Sequence, residues 1–367
     1  MTRRSRTDSA ADRPAADPDA AVLDRRPPLS RRARRWTLAG LIAAFALIAV
    51  TGITSATPWP SAMLIRSVFE QGGAATVQEM LEYGPEPGGP VDARLDQATD
   101  VAGGPGTGFD VFTPAGATGA HPTVVWIHGG AWISGSKENV APYLSLIASH
   151  GYTAIGVDYT VAPEAVYPTA VNQLNDTLGY LLSHAEEYGV DPDRIVLAGD
   201  SAGAQLASQL AVLTTNEKYA NLLGIEPALQ PQQLSALVLN CGVYDLPAMA
   251  ELNGIGQWGL KVALWAYTGT KNWSSDYAGS TMSTIDFVTD ELPPTYLSGG
   301  NGDPLTWIES VPMSKALQDA GVETTELFWP ADHEPKLPHE YQFHFKLEEA
   351  QEAFVQTIDF LDRYAGR

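Results

Sequence analysis

Six short apolar runs organise the chain after residue 120: TVVWIHGG (123–130), TAIGVDY (153–159), RIVLAGD (194–200), SALVLNCG (235–242), PTYLSGG (294–300) and TTELFWP (324–330). Their cores are continuous rather than alternating, and rich in Val, Ile and Leu. That is the signature of strands buried on both faces, as in a parallel sheet. FDVFTP (109–114) reads as one further short strand. Between the runs apolar residues recur at helical spacing. Tyr143, Leu146 and Ile147 mark one helix, Val171, Leu174, Leu178 and Leu181 a second, and Leu206, Leu210 and Leu213 a third. Val311, Ala316 and Leu317 mark a fourth, stopped by Gly321; in the last, Leu347, Ala350, Phe354 and Ile358 follow at intervals of 3, 4 and 4. Alternating strands and helices predict an α/β fold with a doubly wound, mostly parallel sheet.

Two regions break this rhythm. Between Asp245 and Leu292 the sequence offers no strand but carries Trp258, Trp265, Tyr267, Trp273 and Tyr277. A connection that long carries structure of its own, and a helical insertion with its own small core is expected. A lid whose aromatics line a substrate pocket is the sharper reading. Nearer the N-terminus, SAMLIRSVFEQGGAATVQEMLEY has helical spacing, and Gly72-Gly73 predicts its division into two short helices. The stretch from PEPGGP to AGGPGTG is turn-rich.

The apolar run Trp36–Ala56 has no charge over 21 residues. As a helix it reaches roughly 31 Å, the thickness of a bilayer's hydrocarbon core. Residues 1–35, rich in Ala, Pro, Asp and Arg, are expected to be a disordered tail. They hold ten Arg and five Asp; after the span the first basic residues are Arg66 and Arg94. This bias puts the N-terminus in the cytoplasm and the body outside the cell membrane, on a single-pass anchor. Secretion after cleavage near Thr54-Ser55-Ala56 is the alternative.

Charge narrows the partners. The tail's net +5 leaves −26 on the remaining residues of a chain whose total is −21. So acidic a body excludes nucleic acid as a partner. The single Cys241 has no disulfide partner and no Cys/His spacing suggests a zinc site; the thiol is expected to be buried and free. No metal or organic cofactor is implied.

The chemistry is concentrated in RIVLAGDSAGAQLASQLAVL. A strand runs into Gly199-Asp200-Ser201-Ala202-Gly203 and a helix follows at once, which is G-x-S-x-G in its strand–turn–helix context. Ser201 is therefore the candidate nucleophile, held at a tight bend near the positive end of the helix. The Ala202 N–H is one candidate donor to an oxyanion, and the strand end at HGGAW offers others. His128, at that strand end, reads as a loop-holding residue. In the chain order Ser, Asp, His of this kind of site, Asp303 lies just past a strand end and is the candidate acid.

Together HGGAW, DYTVAPEAVYP, DPDRIVLAGDSAG and GDPL resemble the hormone-sensitive-lipase-like branch of the α/β-hydrolase carboxylesterases, over about residues 105–365. The resemblance implies an α/β-hydrolase domain at 105–367, a Ser-Asp-His triad, and Gly130, Ala131 and Ala202 as oxyanion donors. It also implies a cap built from the 57–104 segment and an insertion at about 246–290. Ala131 departs from the third glycine usual in that family. The form HGG-x-W is shared with kynurenine formamidases.

Three of the seven histidines fall in WPADHEPKLPHEYQFHF, after the last strand and before the last helix. Pro338-His339-Glu340-Tyr341 is similar to the family's P-H-G-F, whereas His333 has the family's spacing from Asp303. His339 is the expected base because Tyr341 and Phe343 can pack it rigidly; His333 is the alternative, and His344 the weakest. The expected activity is hydrolysis of small-molecule carboxylic esters with an apolar acyl or alcohol group through an acyl-enzyme on Ser201. An amidase, formamidase or peptidase, and a non-catalytic binding module of the same fold, are the rivals.

Overall fold

The computed structural model describes residues 30–97, 107–250, 252 and 255–366. The chain forms two units, one up to Ile53 and one from Thr54 onward. In the first, helix α1 (Arg31–Ala56) is apolar from Arg34 on, with a mean hydropathy of 2.1 over its most apolar stretch and none of that stretch buried. By length and composition it is able to cross a bilayer or to act as an export signal. The expected disordered tail lies outside the described residues up to 29, while Arg31–Arg35 already belong to α1.

The second unit opens with α2 (Trp59–Tyr83), with Pro60 in its first turn, where a missing N–H costs nothing. It is one helix, not two. Gly73 does not break it but lets it approach a neighbouring turn: a Cβ there would lie 2.9 Å from the Asn139 side chain.

The rest winds around one eight-stranded sheet in the order β1-β2-β4-β3-β5-β6-β7-β8. Its strands are β1 (Val91–Gln97), β2 (Phe109–Pro114), β3 (His121–Ile127), β4 (Thr153–Val157), β5 (Val190–Asp200), β6 (Leu234–Asn240), β7 (Thr295–Gly299) and β8 (Thr324–Phe328). Only β1 and β2 pair antiparallel to their neighbours; the other ladders are parallel. The predicted doubly wound sheet is present, with β1 as an added edge strand.

The pleat sorts alternate residues of the buried strands onto two cores. Val125 and Ile127 of β3 face a core shared with α4 (Thr169–Ser183) and α6 (Ala202–Thr215). Val124 and Trp126 face the other, built with α3 (Ala141–Ser149) and α12 (Glu348–Tyr364). Short helices α5 (Ala185–Tyr188) and α7 (Glu217–Leu223) follow α4 and α6. The long connection after β6 is helical, with α8 (Leu246–Ala250), α9 (Ile255–Thr268) and α10 (Tyr277–Met282). Its Tyr267 and Trp273 join the main core rather than a separate one. Helix α11 (Val311–Asp319) links β7 to β8.

Candidate active site

Ser201 stands between the end of β5 and the first turn of α6 with φ 52 and ψ −117, a conformation costing a non-glycine residue about 1–3 kcal/mol. The surrounding backbone allows no other path. A Cβ on Gly203 would run into the carbonyls of Ile127 and His128, and one on Gly199 would sit 2.5 Å from the Gly203 backbone. The Ser201 N–H donates to the Asn240 carbonyl (2.8 Å), fixing the bend to the neighbouring strand.

His339 comes from the loop between β8 and α12. Its Nε2 lies 2.8 Å from Ser201 Oγ and its Nδ1 2.6 Å from Asp303 Oδ2. Asp303 follows β7 and is buried, and its Oδ1 accepts from the Leu305 N–H (2.9 Å). With Nδ1–H donated to the carboxylate, Nε2 presents its lone pair to the hydroxyl.

Asn301 stitches the acid loop to the histidine loop. It accepts from the Leu337 N–H (2.9 Å) and donates to the carbonyls of Pro330 (3.1 Å) and His333 (2.8 Å), while the Gly302 N–H reaches the Leu337 carbonyl. Beyond His339 the loop is nailed to the sheet by buried Tyr341, which takes the Trp329 indole N–H, and by Phe343 against Tyr143.

The other histidines lie elsewhere. His333 Nε2 pairs with Glu349 (2.7 Å) and its ring packs on Trp329; His344 lies 3.6 Å from Glu79. His128 is buried, stacks on Tyr159, and donates from Nδ1 to the Gly129 carbonyl (2.8 Å). Burial pulls its pKa down to about 4, so it is neutral at physiological pH.

Three consecutive left-handed residues, Gly130, Ala131 and Trp132, shape the HGGAW loop. The Gly130 carbonyl takes the N–H groups of Ile133 and Ser134, and buried Trp132 stacks on Tyr267 of α9 and donates to Gln205. Among the described residues, no protein acceptor engages the N–H of Gly130, Ala131 or Ala202.

Two features were not read from the sequence. First, Cys241, free and buried as expected just past β6, forms with Asp303 and His339 the one cluster of metal-capable side chains among the described residues. Burial alone would lower the His339 pKa; Cys241 and Asp303 lie against the ring, and the net direction is well upward. The same burial pushes the Cys241 thiol up, so it is uncharged at neutral pH and Asp303 supplies the sign. Second, Asp200 is buried and accepts from the Trp126 indole (2.7 Å) and the Gly129 N–H (2.8 Å). Burial, and then the adjacent Glu340, push its carboxyl well above the usual range. Glu340 takes the left-handed conformation (φ 58) directly after His339, while Asp200 holds the oxyanion loop through the Gly129 N–H. Adjacency to Ser201 and His339 was the available signal for both acids.

A serine, an imidazole and a carboxylate in series, beside unengaged main-chain N–H groups, can generate a nucleophile and stabilise an oxyanion. The BD-FAE family model matches residues 109–318. Esterase LipQ of Mycobacterium tuberculosis is 29% identical over 270 residues, covering 70% of this chain and 60% of that protein. The putative alpha/beta hydrolase R526 of Acanthamoeba polyphaga mimivirus is 34% identical over 119 residues, 31% of this chain and 34% of its own. The chain thus spans less than two thirds of each of these relatives. Among solved structures, esterase B from Lactobacillus rhamnosis superposes with a TM-score of 0.69 at 24% identity, over 83% of this chain and 97% of that one. A bacterial heroin esterase gives 0.63 at 24%, over 81% and 90%.

Proposed function

As the chain belongs to the BD-FAE family and, with its α/β-hydrolase fold, to the hormone-sensitive-lipase-like branch, we propose that it is a serine carboxylesterase acting on small-molecule esters through an acyl-enzyme on Ser201. The observation that carries this reading is the single imidazole, His339, bridging Ser201 and Asp303 at 2.8 and 2.6 Å. His339 takes the Ser201 proton as Oγ attacks the ester carbonyl, and returns it to the leaving alcohol. Water then enters, and His339 activates it to release the acid. Asp303 holds the tautomer and stabilises the imidazolium without taking the proton. The N–H groups of Gly130, Ala131 and Ala202 receive the oxyanion in both halves of the cycle.

The cap reading of 57–104 with 246–290 is supported for α2 by its packing on α9, where Ile65 lies against Gly259, whereas β1 of the same segment belongs to the main sheet. It is also supported by the Trp132–Tyr267 stack beside the oxyanion loop. Anchoring by residues 36–56, with the catalytic domain outside, is supported by α1 and the distribution of Arg; signal cleavage remains its alternative.

A series of p-nitrophenyl esters of rising acyl length, with matched anilides and S201A as control, tests the activity. Esters are expected to turn over faster than anilides at every chain length, with medium or longer chains favoured over acetate, and S201A is expected to be inactive. Faster anilide turnover would move the assignment to an amidase, the reading that the HGG-x-W form of the loop favours.

A further inference from the structure

We propose that Gln205 is a positioning residue that keeps the two halves of the oxyanion hole in register, by tying the nucleophile's helix to the Trp132 side chain of the oxyanion loop. The two halves come from different parts of the chain. The Ala202 N–H opens α6, whereas those of Gly130 and Ala131 belong to the loop after β3. One oxyanion meets both only if the loop keeps a fixed place relative to the helix.

The loop does not hold its shape alone. Ala131 and Trp132 are left-handed, with φ 52 and 59, which non-glycine residues keep only where the surroundings over-determine them. That constraint is concentrated in the fully buried Trp132. Its carbonyl accepts from the Ala162 N–H (2.8 Å), and its ring stacks on Tyr267 with centroids 5.5 Å apart and 11° between the planes. Its indole N–H donates to Gln205 Oε1 (3.2 Å). Of these three ties only the last reaches α6. Gln205 stands one turn beyond the nucleophile, and its own N–H donates to the Ser201 carbonyl (3.2 Å).

The amide is fixed from behind. Gln205 Nε2 donates to Gln209 Oε1 (3.0 Å) and to the Met282 carbonyl (3.2 Å), which uses both of its hydrogens. Gln209 Nε2 in turn donates to the hydroxyls of Tyr167 (2.8 Å) and Tyr219 (2.7 Å). The reverse orientation of the Gln205 amide would set two donors against each other at the indole. Both glutamines are wholly buried. An apolar side chain would fill the same space without the cost of desolvating an amide, so what the amide adds is direction.

The proposal rests on the acyl-enzyme reading of Ser201, and the test separates the two. Gln205→Leu, Gln209→Leu and Trp132→Phe are made singly in the full chain. For each, kcat and KM are measured with a p-nitrophenyl ester and with its thiono analogue, in which sulfur replaces the carbonyl oxygen. Sulfur accepts hydrogen bonds weakly, so the ratio of the two rates reports on the oxyanion donors. Gln205→Leu is expected to lose about 10²-fold in kcat on the ordinary ester with little change in KM, the scale of a reacting group misplaced by about an ångström. It loses much less on the thiono ester, so the ratio collapses by roughly tenfold or more. Gln209→Leu is equally buried but leaves Gln205 its bond to Met282, and is expected to keep the parent's ratio while its Tm falls. Trp132→Phe keeps a ring on Tyr267 and removes the indole N–H, and is expected to reproduce the collapse even if Gln205→Leu fails to fold. An unchanged ratio in Trp132→Phe or in folded Gln205→Leu overturns the proposal, as does an equal collapse in Gln209→Leu. If the parent is active when that happens, the acyl-enzyme reading stands and only the role of Gln205 falls. A parent that turns over neither ester and takes no fluorophosphonate on Ser201 overturns both.

Discussion

His339→Ala is expected to lower kcat/KM towards short p-nitrophenyl esters by on the order of 10⁴- to 10⁶-fold, the loss seen when one member of an interdependent catalytic set is removed. His333→Ala is expected to stay within a few-fold of the parent. The contrast follows from where the two rings lie. His339 joins Ser201 to Asp303, whereas His333 is engaged by Glu349 and Trp329. The loss in His339→Ala falls on kcat, because the imidazole moves protons and holds no part of the substrate. Combining it with Ser201→Ala adds almost nothing, since without the base the hydroxyl is already inert. If His333→Ala is the dead variant and His339→Ala the active one, the assignment of the base is wrong.

Asp303→Asn is expected to reduce kcat by about 10⁴-fold, the scale set when an orienting carboxylate becomes an amide and the imidazole is left in the wrong tautomer. Its residual activity carries a second signature. His339 is held well above the ordinary imidazole value of 6.5, and the base works only when neutral, so kcat/KM in the parent rises with pH through a midpoint above 6.5. Without the Asp303 charge the midpoint moves to lower pH. Cys241→Ser leaves it in place, because a thiol whose own pKa is raised by burial lends no charge. Stability runs the opposite way. A raised imidazole pKa stabilises the fold below the unfolded value near 6.5, and this contribution fades as pH climbs through the folded pKa. A parent midpoint at or below 6.5, or one that moves in Cys241→Ser and not in Asp303→Asn, contradicts this account of the base.

The predictable parts of the molecule are those whose physics is local. β3 to β7 could be read because strands covered on both faces are largely apolar, and the Ser201 bend because such a turn demands small neighbours at 199 and 203; β8, expected to be buried on both faces, is an edge strand with only Leu327 buried. β1 escaped because it is an edge strand, exposed over most of its length and without a continuous apolar run; VDARLD alternates apolar and polar residues, but inside a turn-rich stretch. Gly72-Gly73 misled because a glycine pair signals a break, and the reason for Gly73 is a contact with Asn139, sixty-six residues away. Separation along the chain likewise hid Asn301 as the stitch between two loops and Cys241 as a neighbour of His339. Pro338-His339-Glu340-Tyr341 was informative for a physical reason: the aromatic after the histidine is the anchor that the loop uses.

The most direct measurement is stoichiometric labelling of the folded full chain with a fluorophosphonate, followed by peptide mapping and repeated on His339→Ala. Only a hydroxyl activated by a neighbouring base reacts at useful speed. The account predicts one phosphonyl group per chain, on Ser201, with labelling slowed by orders of magnitude in His339→Ala. A folded parent that takes up no label, or takes it up at another residue, contradicts it.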